Sequence, residues 1–416
     1  MLLNGGIMGR VYKESRGRLR FRYDADYLDS DLEIPLSLSM PLLREEHGHD
    51  TINSFLWGLL PDNERVLQRW AARFHVSPNS VFGLLSHVGQ DCAGAVQFVP
   101  EERVNGALEG NRSRISEKDI SDILRDLRRD PGLTRRADDI GQFSLAGAQA
   151  KTALQYSGGH WYIPSGSEPT THILKPPRPD LDGHVENEHF CLRLADAVGL
   201  RVPATSIQRF NDELAIVVER YDRQPGTEDL IRIHQEDACQ ALAIHPANKY
   251  ENEGGPGINR IMDLLNQSSR PVEDRRRFMA AIAFNYLILG TDAHAKNYSL
   301  LLGVGGQVRL APFYDIASLL PYDRHRRHER FAMRIDTHYR DYGLQPRHFE
   351  RMARRCGYPA NELLAQIHKW GEILPEHAQN ILARLRKDGI DTPVLTRLVE
   401  ELETRCSRIT RLFRVN

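Results

Sequence analysis

The residues best suited to chemistry lie between positions 290 and 315. Gly290-Thr291-Asp292-Ala293-His294-Ala295-Lys296-Asn297 is followed, after a short apolar hairpin, by Ala311-Pro312-Phe313-Tyr314-Asp315. Asp292 and Asn297 stand five positions apart, and Asp315 supplies a second carboxylate farther along. Phosphoryl transfer asks for little more. It needs one carboxylate to orient the attacking hydroxyl, and hard oxygen ligands to hold Mg²⁺ on the phosphates. The same residues are also common turn formers, so a plain polar loop after a buried helix is the competing reading.

Other stretches have to position such a site. Residues 143–154, Phe-Ser-Leu-Ala-Gly-Ala-Gln-Ala-Lys-Thr-Ala-Leu, place small residues between β-type sequence. That composition suits a tight loop whose backbone N–H groups approach phosphates, although it is neither a Walker A loop nor GxGxxG, and an ordinary hairpin would read the same. Thr171-His172-Ile173-Leu174-Lys175-Pro176 reads as a strand ending in one lysine, either idle at the surface or neutralising phosphate oxygens. Val185-Glu186-Asn187-Glu188 opens a helix with Phe190, Leu194, Ala195 and Val198 on its apolar face and Gly199 at its end. Glu188 could pair with Lys175, as a strand lysine and helix glutamate do in kinases, or simply favour the helix N-terminus. The apolar strand 214–219 runs into Arg220-Tyr221-Asp222-Arg223, as a nucleotide-binding hinge would. Asp292 and Asn297 themselves have the spacing of base and metal ligand in a kinase catalytic loop.

The rest of the chain divides by composition. Residues 1–104 alternate short β-like runs, at 9–12 and 19–23 with Gly17 between them, with helices at 53–60 and 64–74. The segment 34–42 carries Pro35 and Pro41 and reads as an extended edge, and 94–100 reads as a short strand. Residues 101–140 are charge-rich and read as a linker, in which Ser116 and Asp119 form a capping box for a helix through Leu127. Arg125, Arg128, Arg129, Arg135 and Arg136 there read as solvated faces. From 236 onward the pattern is helical, at 236–242, 257–267, 271–289 and from about 346 to the end, with a stripe of Leu395, Leu398, Leu402, Cys406 and Ile409. The expected fold is α+β, a β-rich part before an all-helical part. The expected domains are an accessory subdomain at 1–104, a phosphate-loop lobe at 105–222 and a helical lobe at 223–416.

At 416 residues the chain is long enough for two or three cores, and its formal net charge of −1 gives no overall attraction to nucleic acid or membrane. The five cysteines, Cys92, Cys191, Cys239, Cys356 and Cys406, form no CxxC pair, so neither a zinc site nor a disulfide framework is indicated. The N-terminal apolar run is too short for a signal peptide, and the run at 278–289 is interrupted by Asn285 and falls short of the roughly 20 residues of a membrane span. A soluble cytoplasmic protein is expected.

Taken together, the ordered motifs SLAGAQAKTAL (144–154), PTTHILKP (169–176), VENEHFCLRLADAVGL (185–200), VERYDR (218–223), QEDACQ (235–240), KYENEGGPGINRIM (249–262), TDAHAKN (291–297) and LAPFYDI (310–316) resemble the HipA family of serine/threonine protein kinase toxins. PLSLSMPL and LLPD (59–62) resemble that family's N-terminal subdomain. The resemblance implies a protein-kinase-like two-lobed fold that uses ATP and Mg²⁺. It implies Asp292 as catalytic aspartate, Asn297 and Asp315 as metal ligands, and Lys175 as the phosphate-binding lysine. Ala146, Gly147, Ala148, Gln149, Ala150 and Lys151 would form the phosphate loop, and Glu219, Arg220 and Tyr221 the adenine-binding hinge. Asp222, Gln235, His294, Ala295, Lys296 and Tyr314 would stand beside the nucleotide, and Ser144 matches a serine that some members autophosphorylate. The implied partners are a HipB-like helix-turn-helix antitoxin, DNA only through that antitoxin, and a protein substrate such as glutamate–tRNA ligase with its tRNA, so that translation and growth arrest. A silent antitoxin-binding co-repressor and a small-molecule phosphotransferase are the alternatives. The stretch 321–330, rich in Arg and His, departs from the family pattern and reads as a solvated loop or as an anion-binding edge for RNA.

Overall fold

The computed structural model describes residues 1–31, 33–130, 143–226, 230–322 and 330–414. The chain forms two units, one of Met1–Arg178, Gln208–Ala247 and Ser299–Val308, the other of Pro179–Ile207, Asn248–Tyr298 and Arg309–Asn416.

In the first unit, Gly9–Lys13 and Leu19–Tyr23 pair antiparallel with Val11 opposite Phe21, and Gly17 takes the positive φ of 78° that their turn requires. Leu19, Phe21 and Tyr23 face inward and Arg20 and Arg22 outward, the period of two that the sequence shows. The expected edge strand at 34–42 does not form, apart from a single bridge between Ser37 and Met40. Pro35 and Pro41 have no N–H to give a ladder, and side chains satisfy the neighbouring backbone instead. The Tyr23 hydroxyl donates to the Met40 carbonyl at 2.6 Å and accepts from the Leu36 N–H at 2.8 Å. The Leu38 N–H donates to the Glu236 carboxyl at 2.8 Å, and the Ser37 hydroxyl bonds its other oxygen.

Burial pushes the Glu236 carboxyl from its ordinary 4.5 up to about 8. The folded protein therefore keeps a proton that the unfolded chain has released, and stability falls as pH rises across that interval. Glu236→Gln reproduces the shape of the protonated acid. It is expected to raise the melting temperature by a few degrees near pH 8 and leave it unchanged near pH 5. Parallel melting-temperature profiles for the two proteins would refute this assignment.

A six-stranded sheet runs in the order Thr205–Phe210, Glu213–Glu219, His172–Lys175, Thr152–Ser157, His160–Ser165 and Asn111–Ile115. Residues 111–129 of the stretch expected as a linker belong to this layer. Asn111–Ile115 is its edge strand, and the helix Glu117–Arg129 packs Ile120 and Leu124 against Leu154, Leu174, Ala215 and Val217. Its capping box from Ser116 to Asp119 is present as expected. Arg125 and Arg128 are not merely solvated, because both pair with the buried Glu213, whereas Arg135 and Arg136 lie outside the described residues. The helix expected at 236–242 begins later. His234–Asp237 is a strand paired with Ser299–Gly303, and Asp237 caps the short helix Ala238–Ala241 by accepting from the Gln240 N–H at 2.9 Å.

The second unit is built on Pro271–Leu287, Ala360–Lys387 and Pro393–Leu412. Leu395, Leu398, Leu402, Cys406 and Ile409 are all buried, as their spacing predicts. Two short strands, Arg330–Ile335 and His338–Arg340, add a small antiparallel pair to this mainly helical unit. The Arg/His-rich reading falls mostly on residues 323–329, outside the described residues. Among the described residues no helix is long and apolar enough to cross a membrane.

Candidate active site

The residues singled out by sequence fall into two sets, one in each unit. In the second unit, the helix Pro271–Leu287 delivers the chain to the acidic loop. Its last carbonyls, which lack helical partners, are held by the buried Arg405, whose guanidinium donates to Tyr286 O at 2.7 Å and Leu287 O at 3.0 Å while pairing with Asp341. Leu289 then takes a left-handed φ of 53°, and the Gly290 N–H turns back to Asn285 O at 2.7 Å. A Cβ on Gly290 would lie 2.5 Å from the Asn285 amide oxygen, so any side chain there would force Asn285 to move. The Ser318 hydroxyl holds Ile288 O at 2.6 Å, and the Leu319 N–H holds Leu289 O at 3.1 Å.

This scaffold fixes the residues expected to be catalytic. Asp292 is exposed, and the Tyr250 hydroxyl donates to its Oδ1 at 2.7 Å. The backbone carbonyl of Asp292 accepts from His294 N–H at 2.8 Å and from the Asn297 side-chain amide at 3.0 Å. The Ala295 N–H reaches Lys249 O at 3.3 Å, which ties the loop to the segment carrying Tyr250. The Tyr314 hydroxyl donates to Lys296 O at 2.7 Å, so the residue before Asp315 is bonded to the residue before Asn297. Asp315 itself sits at φ 53° and is exposed, a conformation uncommon for a side chain with Cβ and one that clusters at functional sites. The Asn297 amide oxygen and the Asp315 carboxylate, carried by segments that this bond ties together, are hard donors of the kind Mg²⁺ takes when phosphates and water complete its shell.

In the first unit, the small-residue loop is docked rather than open. The Ser144 hydroxyl is fully buried and donates to Leu59 O at 2.7 Å, and its N–H donates to Asp91 O at 2.9 Å. Asp62 N–H reaches Gly147 O at 3.2 Å, and Asn63 bonds Ala148 O at 3.4 Å. Gly147 has φ 105°, and any Cβ there would meet Lys151 Nζ at 2.6 Å, because that ammonium folds back onto Ala146 O at 2.7 Å. Gln149 bonds Pro176 O at 3.4 Å, next to the buried Lys175, which pairs in register with Ile216. Ala150 completes the loop as it enters the strand Thr152–Ser157.

The residues expected to form the hinge stand in different settings. Glu219 is exposed at the end of its strand, opposite His172. The Tyr221 hydroxyl bonds Gln235, whose amide in turn donates to Asp222 at 3.3 Å. Arg220 and Asp222 point into a buried ion network. Arg220 bonds Asp222 at 2.8 Å, Thr170 at 2.8 Å and Cys92 O at 2.8 Å, and Arg223 bonds Asp91 at 2.8 Å. Burial alone would raise the Asp91 and Asp222 carboxyls, but the surrounding arginines hold both below the usual carboxylate range. Burial and the adjacent Arg220 push Arg223 down to about 10, as expected where guanidinium groups crowd together.

Sequence reasoning missed three residues or groups that hold this machinery. Tyr250 lies 42 positions before Asp292, residues 59–63 lie some 85 before the loop they dock, and Asp91 lies 129 before Arg220. The motifs around Tyr250 and Leu59 are visible in the sequence, but nothing local marks them as partners.

The family description HipA-like C-terminal domain matches residues 143–386, and HipA N-terminal domain matches residues 1–99. A putative kinase of Sinorhizobium fredii, Y4mE, is 38% identical over 325 residues, covering 77% of this chain and 76% of that protein. The serine/threonine-protein kinase toxin HipA of Shewanella oneidensis is 29% identical over 405 residues, covering 93% and 89%. In the solved complex of Shewanella oneidensis HipA, HipB and operator DNA, one chain superposes with a TM-score of 0.82 at 26% identity, covering 98% of this chain and 97% of that one. The kinase-like α+β fold expected from the sequence is borne out by that match. With both domains matched in order along one chain and the fold shared over nearly all of it, this protein belongs to the HipA family.

Proposed function

We propose that the chain is an ATP- and Mg²⁺-dependent serine/threonine protein kinase and the toxin of a toxin–antitoxin module. The observation that carries this reading is the Asp292 constellation. One carboxylate oxygen of Asp292 is held by Tyr250, which leaves the other to orient a target hydroxyl and accept its proton as the oxygen attacks. Asn297 and Asp315 would hold Mg²⁺, which when bound neutralises charge on the phosphates. Lys175, Lys151 and the backbone of 146–151 would bind the phosphates, and 219–222 with Gln235 the nucleoside end. Residues 1–104 act as an accessory subdomain, 105–222 handle the nucleotide, and 223–416 carry the catalytic loop.

The family relationship supports a HipB-like antitoxin as partner, since the solved relative is a complex with HipB and operator DNA. A translation component such as glutamate–tRNA ligase is the proposed target, in the cytoplasm. An enzyme with Asp292, Asn297, Asp315 and Lys175 all in place is a better reading than a silent co-repressor.

Ser144 is the proposed self-modification site. Its hydroxyl is buried against Leu59 O, a place that cannot take the roughly −2 charge of a phosphate. Modified protein would lose the docked loop and with it nucleotide binding. The test is intact-mass spectrometry after incubation with ATP and Mg²⁺. One added phosphate mapping to Ser144, absent from Asp292→Asn, is the expected result. Ser144→Ala should also keep its activity through the incubation, and a variant that decayed as fast as wild type would exclude this route of inactivation.

A further inference from the structure

A cavity of about 370 Å³ lies wholly within the second unit, outside the constellation just described. Its walls include Glu251, Arg260, Arg334, Asp336, Tyr339 and Arg355. It is built from the motif 249–262, to which the phosphoryl-transfer chemistry assigns only Tyr250. The wall is sterically committed. A Cβ on Gly255 would lie 2.1 Å from Asn248 O, and one on Gly257 would lie 2.3 Å from the Glu251 carboxylate. These glycines let the segment fold tightly under Glu251. The Glu251 carboxylate then accepts from both the backbone N–H of Arg334, at 2.7 Å, and its guanidinium, at 2.9 Å.

The charges are unequal. Glu251 is engaged by Arg334, and Asp336 by Arg351 and Arg355. Arg260 is exposed and makes no hydrogen bond or ion pair among the described residues. The cavity wall thus offers three guanidinium groups against two carboxylates, both already occupied. A guanidinium fork in such a place is complementary to a planar anion.

Position relates the cavity to catalysis. Glu251 follows Tyr250, whose hydroxyl holds Asp292, and the strand bearing Arg334 is tied to the catalytic loop by Ala332 N–H to Thr291 O at 2.9 Å. Two segments of the cavity wall are thus bonded directly to the loop that carries Asp292, which puts the cavity within reach of an extended polypeptide whose hydroxyl lies at Asp292. Resting on the kinase reading above, we infer that this cavity receives an acidic side chain of the substrate polypeptide within a few residues of the phosphorylated hydroxyl, with Arg260 as its principal ligand.

The test is a positional-scanning peptide library with one fixed serine, phosphorylated by the full-length wild-type protein and by Arg260→Glu, with self-phosphorylation followed in the same tubes. Wild type is expected to favour Asp or Glu about tenfold at one position near the serine, the size of one charge-assisted hydrogen bond. Arg260→Glu is expected to favour Lys or Arg at that same position, with self-phosphorylation unchanged. The inference is overturned by a wild type without acidic preference, by the same preference in Arg260→Glu, or by a protein that phosphorylates itself and no peptide. It is also overturned if single-stranded RNA, and not acidic peptide, competes in an Arg260-dependent way. Absence of phosphate from both protein and peptides would instead strike the kinase reading itself.

Discussion

Replacing Asp292 with Asn is expected to slow phosphoryl transfer by about three orders of magnitude while leaving the protein folded. The amide can still accept from the Tyr250 hydroxyl, and the backbone bonds of the loop to His294 and Asn297 do not involve the side chain. On the proposed mechanism, what is lost is the negative charge that would orient the attacking hydroxyl and take its proton. Catalysis of this kind is mostly positioning and electrostatics, so removing one such group is costly. Single-turnover transfer rates, with nucleotide affinity measured alongside by titration, check the prediction. A variant that kept more than about a tenth of the rate would show that Asp292 is not the base. One that lost nucleotide binding as well would place Asp292 in the binding step.

The second large effect concerns stability. Asp91→Ala is expected to lower the unfolding free energy by about 3–5 kcal/mol, because it removes one partner from a buried ion network. Asp91 bonds Arg223 at 2.8 Å and the Thr170 hydroxyl at 2.6 Å, with Arg220 at 3.3 Å and Arg232 at 3.6 Å. Without it, Asp222 would be left to balance those buried arginines. Urea unfolding at neutral pH reads the loss directly. Since the folded Asp91 carboxyl lies below its ordinary value, its contribution is complete above that value and disappears as pH falls through the folded one. The gap between wild type and variant should therefore narrow in acid. A loss below about 1 kcal/mol at neutral pH would mean the network relaxes around the vacancy. The network also joins Asp91, matched by the N-terminal family domain, to Arg220 and Arg223, matched by the C-terminal one, so the two matched regions share one buried ion network.

Much of this protein is legible in its sequence, for local reasons. The capping box at Ser116, the helix closed at Gly199, the stripe from Leu395 to Ile409 and the hairpin around Gly17 each depend on residues within a few positions of one another. Such signals are read directly from residue type and spacing. The candidate catalytic residues were equally visible, because Asp292 and Asn297 share one loop. Where local reading failed, a distant partner had overridden it. The segment 34–42 lost its strand to Tyr23 and Glu236, and the supposed linker became an edge strand and a packed helix. Tertiary structure alone placed Tyr250 on Asp292, Leu59 on Ser144, Asp91 on Arg220 and Glu236 on Ser37, pairs separated by 42, 85, 129 and 199 positions. A hydrogen bond or ion pair of that kind leaves no periodicity in either segment, because its geometry exists only after the elements between have packed.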